Sequence, residues 1–398
     1  MKVCIVGWYG TETIGDRGIL AGIISFLGKK YNKLEINLGS LYPDYTERMI
    51  IEDKGFYEKI LGKKLKINLF DSKSKKILKN VIVDSDFVIM GGGPVMHIKP
   101  LYMVSYALKY AKKIKKKTGM IGCGIGPLFT KEFKKVTLEM AKNSDIIILR
   151  DENSRKNLQE ISNELNYNLE KNIEVSYDPA VECALQYLEK RQTKEVKRDK
   201  IVVNLRDFPS EYSKKNIKYK VNTKLNKFIE ALSLKYQNNE IILVPMHYYF
   251  IGTDDREFLN ELILKNKTLK NVRVQNEILT LEETMELFYN SFFCIGMRFH
   301  SVVLQTILSG RNFILDYTEP KKGKISGFVL DIDKKNFYDD RFLNLQEDLD
   351  NEIDVNKFVS NEKLEFSCDI KNIKIRLKNY YKELSKIGEN HRNENSSC

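Results

Sequence analysis

The chain has 398 residues, 42% hydrophobic and 30% charged, with a net charge of +12 at pH 7. That length exceeds one ordinary core, so two domains are expected, and no apolar run reaches the ~20 residues a membrane helix requires. Six cysteines without paired spacing, behind an N-terminus that reads as a core strand and not as a signal peptide, point to a reduced, cytoplasmic protein.

The positive charge is spread over polar helix faces, as in a solvated lysine-rich surface. Its densest cluster, Lys109 to Lys117, holds six lysines in nine residues at the end of a predicted helix. Lysines suit a helix C-terminus electrostatically, and such a cluster could also touch an anionic membrane surface. No motif of a nucleic-acid-binding fold accompanies the charge, so nucleic acid is not expected as a partner.

In chain order, Val3–Gly7 reads as a strand, followed by a helix near Asp16 to Lys30 with Ile19, Leu20, Ile23, Phe26 and Leu27 on one face. Leu34–Leu38, Val81–Met90, Met120–Gly124 and Ile146–Arg150 read as further strands. After the polar stretch Glu189 to Lys200 a second series begins: Ile201–Leu205, Ile241–Pro245, Val272–Gln275, Phe292–Ile295 and Asn312–Asp316. Apolar runs separated by helices indicate parallel sheets buried on both faces. The expected fold class is therefore α/β, with two doubly wound Rossmann-like domains over 1–190 and 191–345. A helical extension and frayed tail follow over 346–398.

In such folds the chemistry lies at the carboxyl ends of the strands. The first strand runs into Gly7-Trp8-Tyr9-Gly10 and then Gly15-Asp16, where Asp16 could cap the helix or bind a hydroxyl. The glycine spacing is not that of a dinucleotide site. Gly91-Gly92-Gly93 and Gly122-Cys123-Gly124 follow later strands, each a crowded turn or a ligand cradle. Three glycine loops after strands of one sheet suggest a cleft, with Gly15, Asp16, Gly92, Gly93 and Gly124 as candidates. Asp151 and Asp178 have two readings, substrate contact or helix cap and Asp-Pro turn.

Three of the four histidines, His97, His247 and His300, lie just after predicted strands. They lack zinc-motif spacing, and no metal or other cofactor is expected. In the second domain Arg206 stands at the end of the first strand, either as an anion clamp or in a surface ion pair. The most informative segment is Gly296-Met297-Arg298-Phe299-His300. There a strand enters a glycine, a cation and an imidazole follow two residues apart, and a helix begins. Helix N-termini favour anions. Arginine adds a fixed donor fork, and histidine can move a proton near neutral pH.

With these residues in view, the chain resembles the polysaccharide pyruvyl transferases over roughly residues 1 to 330. The likeness rests on Gly7-Trp8-Tyr9-Gly10 with Gly15-Asp16, on Gly91 to Gly93, Gly122 to Pro127, Arg150-Asp151 with Ser154, Asp178-Pro179, and above all Gly296 to His300. The resemblance implies an architecture similar to glycosyltransferases of the B type. It also implies transfer of a pyruvyl group from phosphoenolpyruvate, a co-substrate, to sugar hydroxyls of a polysaccharide precursor, lipid-linked or not, as a cyclic ketal. Arg298, Arg206 and Gly296 would then form the donor site, and His300 would be the general acid. The first domain's candidates, with His97 and His247, would line the acceptor side. Two alternatives stay open: a B-type glycosyltransferase using a nucleotide sugar, and a non-catalytic binding protein of an envelope pathway.

Overall fold

The computed structural model describes residues 1–192, 197–210, 217–266, 268–333, 336, 338–347, 349–359 and 369–388. The chain divides into two compact units, one from 1–12, 16–186 and 370 onward, the other from 13–15 and 187–369.

The first unit is a seven-stranded parallel sheet. Its strands are β1 (Lys2–Val6), β2 (Glu35–Ser40), β3 (Lys66–Asp71), β4 (Phe87–Val95), β5 (Lys117–Ile125), β6 (Ile146–Leu149) and β7 (Glu174–Val175), in the order β3-β2-β1-β4-β5-β6-β7. The connecting helices are α1 (Ile14–Lys30), α2 (Pro43–Leu61), α3 (Lys75–Val83), α4 (Leu101–Lys113), α5 (Lys131–Lys142), α6 (Glu152–Glu164) and α7 (Pro179–Lys190). Val3 to Val6, Phe87 to Met90 and Ile146 to Leu149 are buried, as expected for central strands covered on both faces.

The two ends of β4 differ most from the sequence expectation. Val81 to Val83 close α3, because Leu78 and Ile82 bury one face of a helix before the chain turns at Asp84. The strand β4 then continues through Gly91 to Gly93 and pairs Gly93 with Cys123 and Pro94 with Gly124, so these glycines are strand residues. The edge strand β3 went unforeseen, and its residues are mostly half-exposed.

The second unit is a six-stranded parallel sheet of β8 (Lys200–Asn204), β9 (Glu240–Leu243), β10 (Val272–Val274), β11 (Phe293–Gly296), β12 (Asn312–Asp316) and β13 (Phe342–Asn344), in the order β10-β9-β8-β11-β12-β13. Its helices are α8 (Lys218–Lys235), α9 (Asp255–Lys265), α10 (Leu281–Tyr289), α11 (Phe299–Leu308), α12 (Lys324–Ile332) and α13 (Val355–Phe358). The expected fold class therefore holds: two doubly wound α/β units of Rossmann type.

A last helix, α14 (Ile370–Gly388), returns to the first unit. Tyr380 stacks on Phe26 with ring centroids 4.0 Å apart and donates its hydroxyl to the Tyr177 carbonyl at 2.6 Å. A buried aromatic pair with a satisfied hydroxyl is a strong local anchor. Of the expected frayed end, Gly388 to Cys398, Gly388 closes α14 and 389–398 lie outside the described residues.

Candidate functional site

In each sheet the strand order reverses beside the strand that opens it. In the second sheet β8 has β9 on one side and β11 on the other, and Gly296 pairs with Asn204 at their carboxyl ends. A ligand of a doubly wound sheet binds at such a reversal. The loops leaving it carry Arg206 from β8 and Arg298 with His300 from β11.

Asn204 joins these pieces. Its side chain donates to the Val244 carbonyl at 2.8 Å and accepts from the Arg298 amide at 2.9 Å and the Ser301 hydroxyl at 2.8 Å. That satisfies donors at the start of α11, whose N-cap is Arg298. Gly296 is required by close packing, since a Cβ there would lie 2.6 Å from Gln305 Oε1.

The Arg298 side chain is held from below. Its Nε donates to Asp255 Oδ2 at 2.7 Å and its Nη2 to Asp255 Oδ1 at 2.5 Å. Asp255 also accepts from the amides of Met246 and His247 at 3.0 and 3.2 Å. The fork that the sequence suggested for an incoming anion is thus engaged by a buried carboxylate. The guanidinium is thereby fixed in orientation. Asp255, eight residues after His247, gave no sign of this role in the sequence, because its partner lies 43 residues away.

His300 occupies the first turn of α11, its ring edge-on to Phe299 with centroids 5.0 Å apart. Gly15 packs against it, for a Cβ on Gly15 would fall 1.9 Å from His300 Nδ1. The segment Thr13 to Gly15 belongs to the second unit. Thr13 bridges His247, and the Ile14 amide donates to the Met246 carbonyl at 3.1 Å. His247 packs against Gly252 as well, where a Cβ would approach its Cε1 to 2.4 Å.

Arg206 donates from Nε to the Asp207 carbonyl at 3.1 Å, and its guanidinium lies 5.2 Å from the Tyr317 ring centroid. The Asp207 carboxylate turns instead to Lys218 and Asn222 at 2.5 and 2.8 Å. Lys324 lies 5.7 Å from the same Tyr317 ring and 5.9 Å from Phe299. Burial pushes the Tyr317 hydroxyl pKa up, but Lys324, Arg206 and Arg298 outweigh it, and the net shift is downward. Tyr317 and Lys324 escaped the sequence reading because they flank an unremarkable loop after β12.

The remaining candidates lie in the first unit. Asp16 sits inside the first turn of α1 and accepts from the Thr11 hydroxyl at 2.9 Å, so it is not the N-cap. Beside Gly92 the space is filled by Ile19, and beside Gly93 by Trp8, with Cβ approaches of 2.3 and 2.9 Å. Gly124 accommodates the Arg150 guanidinium, which a Cβ would meet at 2.6 Å. His97 packs at a tilt against Phe133 with centroids 3.8 Å apart and accepts from the Phe129 amide at 3.4 Å. Asp151 caps α6 by accepting from the Ser154 amide at 2.6 Å, and Asp178 accepts from the Ala180 amide at 3.0 Å. Both follow the cap-and-turn reading. Among the described residues no three His, Cys, Asp or Glu side chains gather as a metal site.

Comparison with solved structures identifies the fold. A UDP-GlcNAc 2-epimerase from Methanocaldococcus jannaschii, in complex with UDP-GlcNAc and UDP, is 16% identical, with 95% of this chain and 93% of that one covered and a TM-score of 0.53. A UDP-N-acetylglucosamine 2-epimerase described as putative, from Listeria monocytogenes, is 11% identical over 79% of this chain and 78% of that one, also with a TM-score of 0.53. S. aureus MnaA with UDP is 14% identical over 79% of each chain, with a TM-score of 0.50. At such identities the likeness concerns the fold alone. No curated protein sequence matches this chain significantly. The family model of the polysaccharide pyruvyl transferases matches residues 14–318, a span that contains Arg206, Asp255, Arg298 and His300. With that match over most of its length, the chain belongs to the polysaccharide pyruvyl transferase family.

Proposed function

We propose that the protein transfers a pyruvyl group from phosphoenolpyruvate to two hydroxyls of a sugar in a polysaccharide or glycan precursor, in the cytoplasm, releasing phosphate and leaving a ketal. One observation carries this reading. Arg298, oriented by Asp255, and His300, packed on Gly15, share the N-terminal turn of α11 at the reversal of the second sheet. Phosphoenolpyruvate is a small ligand with one carboxylate and one phosphate, and arginines at a helix N-terminus suit both.

The proposed sequence begins with His300 as imidazolium giving its proton to the methylene carbon. Positive character then builds on the adjacent carbon, next to the carboxylate. A first sugar hydroxyl attacks that carbon and loses its proton to the now neutral His300. A second hydroxyl displaces phosphate, which leaves with the electron pair of the broken C–O bond and takes up that hydroxyl's proton. Methyl, carboxylate and two sugar oxygens remain on one carbon. General acid catalysis of the first step contributes about 10²–10⁴-fold.

The second reading is a glycosyltransferase reaction with a nucleotide sugar, which the UDP-bearing neighbours bring to mind through fold alone. Thermal shift separates the two. Phosphoenolpyruvate is expected to stabilise the protein where a panel of nucleotide sugars does not, and phosphate is expected to appear when a sugar acceptor is added. Stabilisation by nucleotide sugars alone would overturn the proposal.

A further inference from the structure

Two helices on one face of the first sheet carry charge that the proposed chemistry does not use. α3 and α4 bury Leu78, Ile82, Val104, Leu108 and Ala111 in one core, so each presents its opposite side to water. Between Lys75 and Lys117 the chain holds ten lysines, no arginine and two acids, Asp84 and Asp86. Both acids turn toward Lys2: Asp84 accepts from its Nζ at 2.9 Å and Asp86 from its amide at 2.7 Å. Neither helix contains an acidic residue of its own.

The two helices lie in register. Lys75 stands over the Tyr106 ring at 5.0 Å, and Lys79, one turn on, stands over the Tyr110 ring at 5.4 Å. The two rings are stacked, with centroids 6.0 Å apart and planes 7° from parallel. Such contacts leave a lysine charged while its stem covers an aromatic surface. They join the lysines of α3 to the run Lys109 to Lys117, which stands apart from them in the sequence. Within that run Lys109 pairs with Glu139 at 3.6 Å and Lys112 with Asp145, while Lys113 and Lys115 are exposed beyond them. Apolar side chains of the same helices also reach water: Ile77 is 43% exposed, Val83 53% and Tyr102 39%.

We propose that the face formed by α3 and α4 docks on an anionic lipid bilayer, its lysines meeting headgroup phosphates and Ile77, Val83 and Tyr102 entering the interface. Charge complementarity carries the choice of partner. A headgroup layer offers many phosphates to a lysine cluster and an apolar region just below for aliphatic and tyrosine side chains. Nucleic acid would offer the phosphates but nothing for Ile77 and Val83. Its recognition also favours the arginine fork, which this segment lacks. Among the described residues no helix is long and apolar enough to cross a membrane, and the proposed contact is peripheral. The docking is independent of the pyruvyl-transfer reading.

The test is cosedimentation of the full chain with vesicles of phosphatidylglycerol in phosphatidylcholine, against vesicles of phosphatidylcholine alone. The wild type is expected to prefer the anionic vesicles by about 10²-fold or more. A triple variant, Lys75→Gln with Lys76→Gln and Lys113→Gln, should bind them about 10²-fold more weakly, at about fivefold per lysine near the charged surface. Removing three exposed lysines elsewhere, by Lys54→Gln, Lys156→Gln and Lys265→Gln, should change binding by less than about twofold, since charges beyond a Debye length are screened. The pair Ile77→Ser and Val83→Ser should weaken binding by about 10-fold through lost apolar burial. Melting curves establish that each variant is folded. No preference for anionic vesicles, equal weakening by the two triple variants, an unchanged affinity in the serine pair, or tighter binding to duplex DNA than to the vesicles overturns the proposal.

Discussion

Gly15 and His300 lie so close that a single methyl group between them would fall 1.9 Å from the imidazole Nδ1. The glycine is therefore the wall against which the imidazole rests, and its value is absence of a side chain. Gly15 has no left-handed backbone conformation to justify it. It lies within α1, where alanine would be favoured by up to about 1 kcal/mol on helix propensity alone.

The Gly15→Ala variant is thus expected to lose activity, because His300 must move, at a stability cost of about 1–3 kcal/mol from overpacking that helix propensity only partly offsets. A fall in kcat of roughly 10²-fold is expected from a displacement of about an ångström. Parallel melting curves and steady-state kinetics check this. Full activity would show that the contact has no positioning role.

His300→Ala is expected to lower turnover by about 10²–10⁴-fold, with phosphoenolpyruvate affinity held within a few fold. Calorimetry and phosphate release on the same preparation separate the two effects. Retention of the wild-type rate would exclude the acid role.

Asp255→Asn breaks a bidentate ion pair whose carboxylate side chain is 1% exposed and whose arginine is 14% exposed. The expected cost is about 3 kcal/mol, since Arg298 keeps its charge without its partner. Donor KM should rise as well, because the guanidinium loses its fixed direction. The double variant with Arg298→Gln should be less destabilised than the sum of the singles; additive costs in urea unfolding would argue that the pair is not coupled.

Asp316 makes stability depend on pH. Burial pushes its carboxyl pKa upward, partly offset by donors from Thr318, Ser326 and Asn344. The folded protein therefore holds this proton where the unfolded chain, with an ordinary value near ~3.9, has released it. Its contribution to stability is complete below the unfolded value and is lost as pH rises through the raised folded value. Urea midpoints measured from about pH 4 upward should fall less steeply with pH in Asp316→Asn than in the wild type. Identical slopes would remove this account.

Much of the architecture was legible in the sequence. Apolar runs such as Ile201–Leu205 and Asn312–Asp316 announce buried parallel strands because both faces of such strands must be covered. The Arg298-Phe299-His300 step from strand to helix was legible for a similar local reason: a glycine, a cation and an imidazole occupy one turn. The cap and turn roles of Asp151 and Asp178 were among the local readings too. Strand β3 was not read from the sequence: it is a short edge strand, mostly half-exposed, whose place is set by pairing with β2.

What the sequence determined by itself was the α/β class, the family likeness and the place of the Arg298-Phe299-His300 triplet between strand and helix. These follow from patterns a few residues long. Tertiary structure alone decided that Asp255 holds Arg298 and that Lys324 and Arg206 each lie within 6 Å of the Tyr317 ring. It also decided that His300 rests on Gly15, 285 positions earlier in the numbering. The physical reason is that a parallel sheet gathers the carboxyl ends of strands distant in sequence at one edge. Charges with no local relation there become neighbours, and their energies depend on separations that no spacing along the chain encodes.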